Sequence, residues 1–293
     1  MNIKAHTYVL LATLIVAGSF IASAKLATLI NPYSLIFLRF LLSILVLAPF
    51  ILMKKDFIKK IKHSFFRALI ISLFYSGYFI LFFEALKNTT ALNTGTLYTL
   101  VPLLTALLYI VFFKEKILIK QYLVYIMGII GTCGVIFKAD IDLLLSFTLN
   151  DGDYIFLIAI LLMAGYSISM KLFYKNDDTL VLVFCTLIGG AIWTGLMVLI
   201  LDVPLQWNLI QNDYLYYMLY LVIPATLFTT YLYQRSTVLI GPKKVMSYIY
   251  LNPGAVALIA FSFQDKLISF EIILFIMVSA FATIVLQLSL SKK

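Results

Sequence analysis

Ten apolar stretches of about twenty residues, parted by short polar breaks, limit what this chain can become more than any other feature. They run approximately over 7–30, 33–53, 65–86, 91–113, 120–138, 152–173, 179–201, 213–233, 241–263 and 269–290. A helix of about 20 apolar residues covers the roughly 30 Å of hydrocarbon in a bilayer. Backbone polar groups inside hydrocarbon must be satisfied within the segment, so these stretches are expected as helices, and the short alternating strands of a barrel are absent. A soluble fold is excluded by composition: 63% of the 293 residues are apolar and 12% are charged, too few to clothe a domain of this size. The expected fold class is therefore an all-α integral membrane protein with ten transmembrane helices. The first stretch is read as a retained helix, since no small-residue cleavage site follows a short apolar core.

The breaks carry turn chemistry. Asn31-Pro32 parts the first two stretches, Asn88-Thr89-Thr90 the third and fourth, and Gly241-Pro242 opens the ninth. Lys54 to His63 reads as a basic loop. With the N-terminus in the cytoplasm, 17 of the 22 basic residues fall on the inner side and five (Lys25, Arg39, Lys87, Lys138, Lys266) on the outer. That bias predicts both termini inside the cytoplasmic membrane. It also accounts for the net charge of +9 without nucleic acid, which is excluded as a partner. Cys133 and Cys185 lie in apolar runs and read as packing residues; no metal and no cofactor is expected.

The two halves resemble each other. At an offset of 146, Ser23, Lys25 and Leu26 coincide with Ser169, Lys171 and Leu172, and Phe20 meets the aromatic Tyr166. Leu100-Val101-Pro102 precedes Glu115 by thirteen residues from the proline, and Leu251-Asn252-Pro253 precedes Asp265 by twelve. Both prolines are expected in mid-helix. The units are 1–147 and 148–293. Five spans is an odd number, so the second copy must enter the membrane upside down, giving the inverted repeat that places a substrate site near the midplane.

Polar groups within spans are expensive and should face a cavity or a neighbour. The candidates for substrate contact are Ser19, Ser23, Arg39, Tyr75, Tyr78, Glu84, Asn93, Thr96, Thr99, Tyr166, Ser169, Thr230, Tyr248 and Asn252, with Pro102 and Pro253 as helix breaks or gates. Each has a plainer alternative, because serine and threonine bond their own helix and tyrosine packs in interfacial belts. Arg39 lies about 9 Å into its span at 1.5 Å per residue and could meet a substrate carboxylate. Glu84 could exchange protons or simply pair with Lys87. Glu115 and Asp265 read as structural charges, Glu115 through its neighbours Lys114 and Lys116. A membrane-embedded enzyme is a weaker reading: the only histidines are His6 and His63, and no HExxH, GxSxG or P-loop pattern is present. A receptor would need more than the dozen residues of the longest outer connection, Ala139 to Asp151.

Several stretches resemble the EamA family of the drug/metabolite transporter superfamily. They are Gly18-Ser19-Phe20 with Lys25, Phe37-Leu38-Arg39-Phe40, and Glu84 through Ala91. The most specific is Pro102 through Ala106, then Phe113-Lys114-Glu115-Lys116-Ile117, then Gly128, Gly131 and Gly134. In the second half, Gly152-Asp153 and Asn252-Pro253 match, while Asp265 stands where a glutamate is usual. The resemblance implies two inverted five-helix repeats and secondary transport of a small organic metabolite. An amino acid or related amphipathic solute, moved outward, is favoured. Importers and nucleotide-type exchangers of the same superfamily are the alternative. The implied partners are the small-molecule substrate and the lipid bilayer; protons as coupling ion and a second copy of the chain in a homodimer are further candidates.

Overall fold

The structure is a computed structural model that describes residues 2–27, 29–115, 117–264 and 269–290. Among the described residues every regular element is helical. The α-helices are α1 Ile3–Ala27, α2 Pro32–Leu52, α3 Lys55–Ala85, α4 Ala91–Tyr98, α5 Val101–Phe113, α6 Ile119–Ile136 and α7 Ile141–Leu145. The second half contains α8 Asp151–Phe173, α9 Thr179–Ile200, α10 Asp213–Val222, α11 Thr229–Ile240, α12 Pro242–Ser247, α13 Asn252–Gln264 and α14 Phe270–Ser289. A π-helical turn, Ile223–Phe228, joins α10 to α11, and a 3-10 turn, Tyr248–Leu251, joins α12 to α13.

Among the described residues, eight helical stretches are long and apolar enough to cross a membrane. The expected first span corresponds to α1. The expected ninth corresponds to the broken run from α12 through α13. Large apolar side chains cover the outside: Leu199, Ile200, Phe66 and Val111 are each at least 70% exposed, as lipid-facing residues must be.

Two expectations are corrected. Lys54 to His63 is not a loop, since α3 begins at Lys55 and runs 31 residues. Lysine is a good helix former, and Phe57, Ile61 and Phe65 keep an i, i+4 apolar stripe packed on the core, so the helix continues beyond the apolar stretch. Nor do the two prolines sit in the middle of continuous helices. The first break falls at Thr99–Leu100, and Pro102 stands in the first turn of α5; Pro253 is the second residue of α13, after the 3-10 turn. Proline lacks an N–H, which the first turn of a helix does not need, so each span restarts where its proline stands.

Helix α3 packs along both α8 and α9, α2 along α9, α6 along α14, and α1 against α10, α11 and α13. Small residues let α6 approach α14. A Cβ at Gly131 would stand 2.7 Å from Ser279 N, 3.0 Å from Ser279 Cα and 3.1 Å from Phe275 O. All three atoms are backbone, so only a shift of the whole helix could relieve the overlap. Gly131→Ala is therefore expected to destabilise by about 1–3 kcal/mol, seen as a lower thermal midpoint in detergent. An unchanged midpoint would show that the two helices are not locked at this point.

At the end of the molecule where α3 begins, Arg67 forks onto Asp177 in the α8–α9 connection, with Nη1 to Oδ2 at 2.9 Å and Nη2 to Oδ1 at 2.8 Å. Ser64 Oγ donates to the same carboxylate at 2.6 Å and Lys175 N at 3.0 Å. Burial pushes the Asp177 carboxyl up, but the hydrogen bonds from Ser64 and Lys175 and the Arg67 charge outweigh it and hold the group below its ordinary value. A depressed carboxyl contributes stability that is present above the unfolded-state value, about 3.9 for aspartate. That contribution is lost as pH falls through the lower folded-state value. Thermal midpoints measured between neutral pH and pH 3 should fall at the acid end, and Asp177→Asn should make that fall shallower while lowering the neutral-pH midpoint.

Candidate functional site

A cavity of about 340 Å³ lies between the halves, within the size range of small-molecule sites. Helix α1 contributes Ser19 and Ser23, α2 contributes Arg39, and α3 contributes Tyr75, Tyr78, Phe79, Phe82 and Phe83. From the other half come Met163 and Tyr166 of α8, Thr229, Thr230 and Tyr233 of α11, and Asn252 at the start of α13. The cavity reaches Leu86, where α3 ends.

Eight of its 21 described lining residues are aromatic. The rings of Tyr75 and Tyr166 lie 4.7 Å apart across the α3–α8 contact. Tyr75 meets Phe79 edge-on at 5.2 Å, and Tyr78 stacks on Phe82 at 5.9 Å. This face arises from the helical period: Tyr75, Phe79 and Phe82 follow at i, i+4 and i+7 along α3.

One cation is set into this wall. Arg39 is 8% exposed, and its guanidinium lies 5.8 Å from the Phe79 ring centroid. Nε and Nη2 donate to Thr226 Oγ1 at 3.2 and 3.0 Å. Thr226 belongs to the π-helical turn, whose extra residue in the turn reorients the helix beside the cavity. Among the described residues the ion pairs are Arg67–Asp177, Lys87–Glu84 and Lys243–Glu115; none includes Arg39. Arginine stays charged in proteins and carries five N–H donors, so a single hydroxyl leaves both charge and donors unmet.

Three more cavity residues hold buried polar atoms that are poorly satisfied. Among the described residues Asn252 Oδ1 has no hydrogen-bond partner, and Tyr166 Oη and Thr230 Oγ1 have only Gln234 and Tyr75, respectively, beside them, outside good hydrogen-bond geometry. Buried polar groups are nearly always well paired, so each of these asks for a reason. Arg39 and these three groups share one cavity, and an occupant with complementary polar atoms would satisfy them together.

Eight of the residues singled out from sequence line this cavity: Ser19, Ser23, Arg39, Tyr75, Tyr78, Tyr166, Thr230 and Asn252. The other six are engaged elsewhere. Glu84 pairs with Lys87 at 2.7 Å and accepts from the Tyr33 hydroxyl. Asn93 Nδ2 donates to Asp153 Oδ2 at 2.7 Å. Thr96, Thr99 and Ser169 donate to carbonyls of their own helices, at Leu92, Thr96 and Tyr166. Tyr248 Oη lies 3.0 Å from His6 Nδ1. Glu115 pairs with Lys243 at 3.0 Å, on another helix. Asp265 lies outside the described residues. The rings Phe79, Phe82 and Phe83 also line the cavity but carry no polar group to mark them in the sequence, although their spacing from Tyr75 is visible there.

Residues 3–137 match the EamA-like transporter family. A relative from Bacillus subtilis (strain 168), the uncharacterized transporter YyaM, is 30% identical over 139 residues, which is 47% of this chain and 45% of the relative. The match thus spans a little under half the length of either protein. A solved crystal structure shares the fold at a TM-score of 0.81 and 18% identity, covering 100% of this chain and 99% of its own.

Proposed function

We propose, from the premise that residues 3–137 belong to the EamA-like transporter family, that the whole chain is a secondary transporter working by alternating access. It sits in the cytoplasmic membrane with both termini inside, and its ten spans form two inverted repeats, 1–147 and 148–293. Helix pairing supports the repeat. A two-fold exchange of the halves maps α2 onto α9 and α6 onto α14, and each of these pairs packs against itself. The same exchange maps the α3–α8 contact onto that between α1 and the α10–α11 rod, and both contacts are extensive. The restarted helices at Pro102 and Pro253 exchange likewise.

The substrate we propose is a small amphipathic solute bearing a carboxylate, an amino acid or a close relative, with export the favoured direction. One observation carries this reading: the Arg39 guanidinium is buried in the cavity wall with no carboxylate among the described residues to balance it. An occupant with a carboxylate supplies the missing charge, and the aromatic wall suits an apolar body. At the end where α3 begins, the halves are joined by His6 to Tyr248 and by Ser236 Oγ donating to Ala5 O at 3.1 Å. These contacts part when the cavity opens to that side.

The test is counterflow into liposomes carrying the purified protein, comparing amino acids with the amines obtained by removing the carboxylate. Carboxylate-bearing solutes should exchange and the amines should not. Equal uptake of the two series would overturn the assignment of Arg39, and no exchange across a wide metabolite panel would overturn transport itself. Repeating the assay with and without a pH gradient reads proton coupling.

A further inference from the structure

A second concavity, of about 430 Å³, opens at the end of the molecule where Lys171 lies, between the ends of α5, α8, α11 and α14 and the start of α12. This is the Arg67 end, since Arg67 Nη1 donates to Phe173 O only two residues beyond Lys171. It is distinct from the cavity that holds Arg39, and the two share no lining residue.

Its charge is one-sided. Among the described lining residues, Lys171, Lys243 and Lys244 face a single acid, Glu115. Two of the ammonium groups gather on one ring: Lys243 Nζ lies 4.2 Å and Lys171 Nζ 4.9 Å from the Tyr109 centroid. They therefore lie within about 9 Å of each other, comparable to a Debye length at physiological salt. Lys171 also donates to the Tyr109 hydroxyl and lies 5.1 Å from the Phe113 centroid. A lysine free to follow solvation alone would extend into water; this one is folded back over two rings. Glu115 is taken by Lys243, and among the described residues no carboxylate lies within 4.0 Å of Lys171. Beside these cations, Leu118 and Leu239 remain exposed at the rim.

We propose that this pocket binds a phosphate-type oxyanion attached to an apolar body, with Lys171 as its principal contact and the Tyr109 ring as the platform that holds the lysines in place. An oxyanion between Lys171 and Lys243 relieves their mutual repulsion, and Leu118 and Leu239 receive the apolar part. The headgroup of an anionic phospholipid and a free phosphorylated solute share this chemistry. The site stands independently of any transport through the Arg39 cavity.

The experiment uses the delipidated full chain in a neutral detergent, read by native mass spectrometry and by thermal midpoint. The probes are phosphatidylglycerol, phosphatidylcholine and inorganic phosphate. Phosphatidylglycerol should bind and stabilise more than phosphatidylcholine, and Lys171→Gln should weaken that binding by about fivefold. Lys120→Gln, an exposed lysine that does not line the pocket, should bind as the unaltered chain does. Millimolar phosphate that stabilises the chain and displaces the lipid assigns the pocket to a free anion; lipid binding insensitive to phosphate assigns it to a headgroup. The proposal is overturned if neither phosphatidylglycerol nor inorganic phosphate binds, if phosphatidylcholine equals phosphatidylglycerol, or if Lys171→Gln and Lys243→Gln both bind like the unaltered chain.

Discussion

Arg39→Gln is expected to lower transport of a carboxylate-bearing solute by on the order of 100-fold while leaving the thermal midpoint of the empty protein unchanged or raised. Removing one partner from a buried, hydrogen-bonded charge pair costs 2–5 kcal/mol or more, and about 2.7 kcal/mol corresponds to two decades. That loss applies to the loaded state, where substrate is the other partner. In the empty state the sign reverses. A buried guanidinium whose described contacts are Thr226 and the Phe79 ring has given up much of its hydration without an ion pair in return, so neutralising it removes a cost. Function and stability then move in opposite directions, as expected at a site held ready for a ligand.

Arg39→Lys should recover little of this activity. Arginine reaches Thr226 through Nε and Nη2 and still carries Nη1, whereas lysine offers one ammonium in place of the three nitrogens. Initial rates in liposomes at matched protein density, with midpoints measured on the same preparations, check both halves of the expectation. If Arg39→Gln transports within threefold of the unaltered chain, or if it unfolds several degrees earlier, Arg39 is part of the scaffold and not of the path.

The helices were legible in the sequence because hydrocarbon leaves the backbone no alternative: eight helical stretches among the described residues are long and apolar enough to cross a membrane. The fourth, eighth and ninth apolar stretches, however, are each carried by more than one helical element. The direction of individual side chains was less legible. Tyr75 and Tyr78 were found because a hydroxyl inside a span demands a partner; Phe79 and Phe82 on the same face were missed because a phenyl ring demands none. Thr96 and Thr99 looked like path residues by their closeness to Pro102, but a threonine in a helix can donate to the carbonyl three or four residues back, and both do. The π-helical turn left no mark in the pattern. Pro224 stands inside it, but a proline alone does not tell a π turn from a kink, so Thr226 could not be matched with Arg39 before the fold was known.

Asp153 shows the opposite case, a charge near a span end that is needed for the fold, and its loss should be among the most destabilising single changes in the chain. It is fully buried at the first turn of α8. Its carboxylate accepts from Asn93 Nδ2 at 2.7 Å, Asn150 N at 2.9 Å and Thr89 Oγ1 at 2.5 Å. These donors come from the α3–α4 connection, from α4 and from the residue that caps α8, so one carboxylate ties three segments together. The close approach depends on Gly152, where a Cβ would stand 2.5 Å from Ala85 O and 2.8 Å from Asn88 C. Asp153→Ala removes a charged acceptor and leaves a backbone N–H and two side-chain donors beside an apolar methyl. Hydrogen bonds to a charged group contribute about 1.5–3 kcal/mol each, with partial compensation when several are lost together, so a loss of about 3 kcal/mol is expected. Asp153→Asn keeps one acceptor oxygen for Asn93 and Asn150 and can turn its amide toward the Thr89 hydroxyl, which is able to accept. It should cost about 1 kcal/mol. The order alanine below asparagine below aspartate in thermal midpoint, unaffected by added solute, is the expected result. Equal midpoints for all three would mean that the network at the head of α8 does not hold the two halves in register.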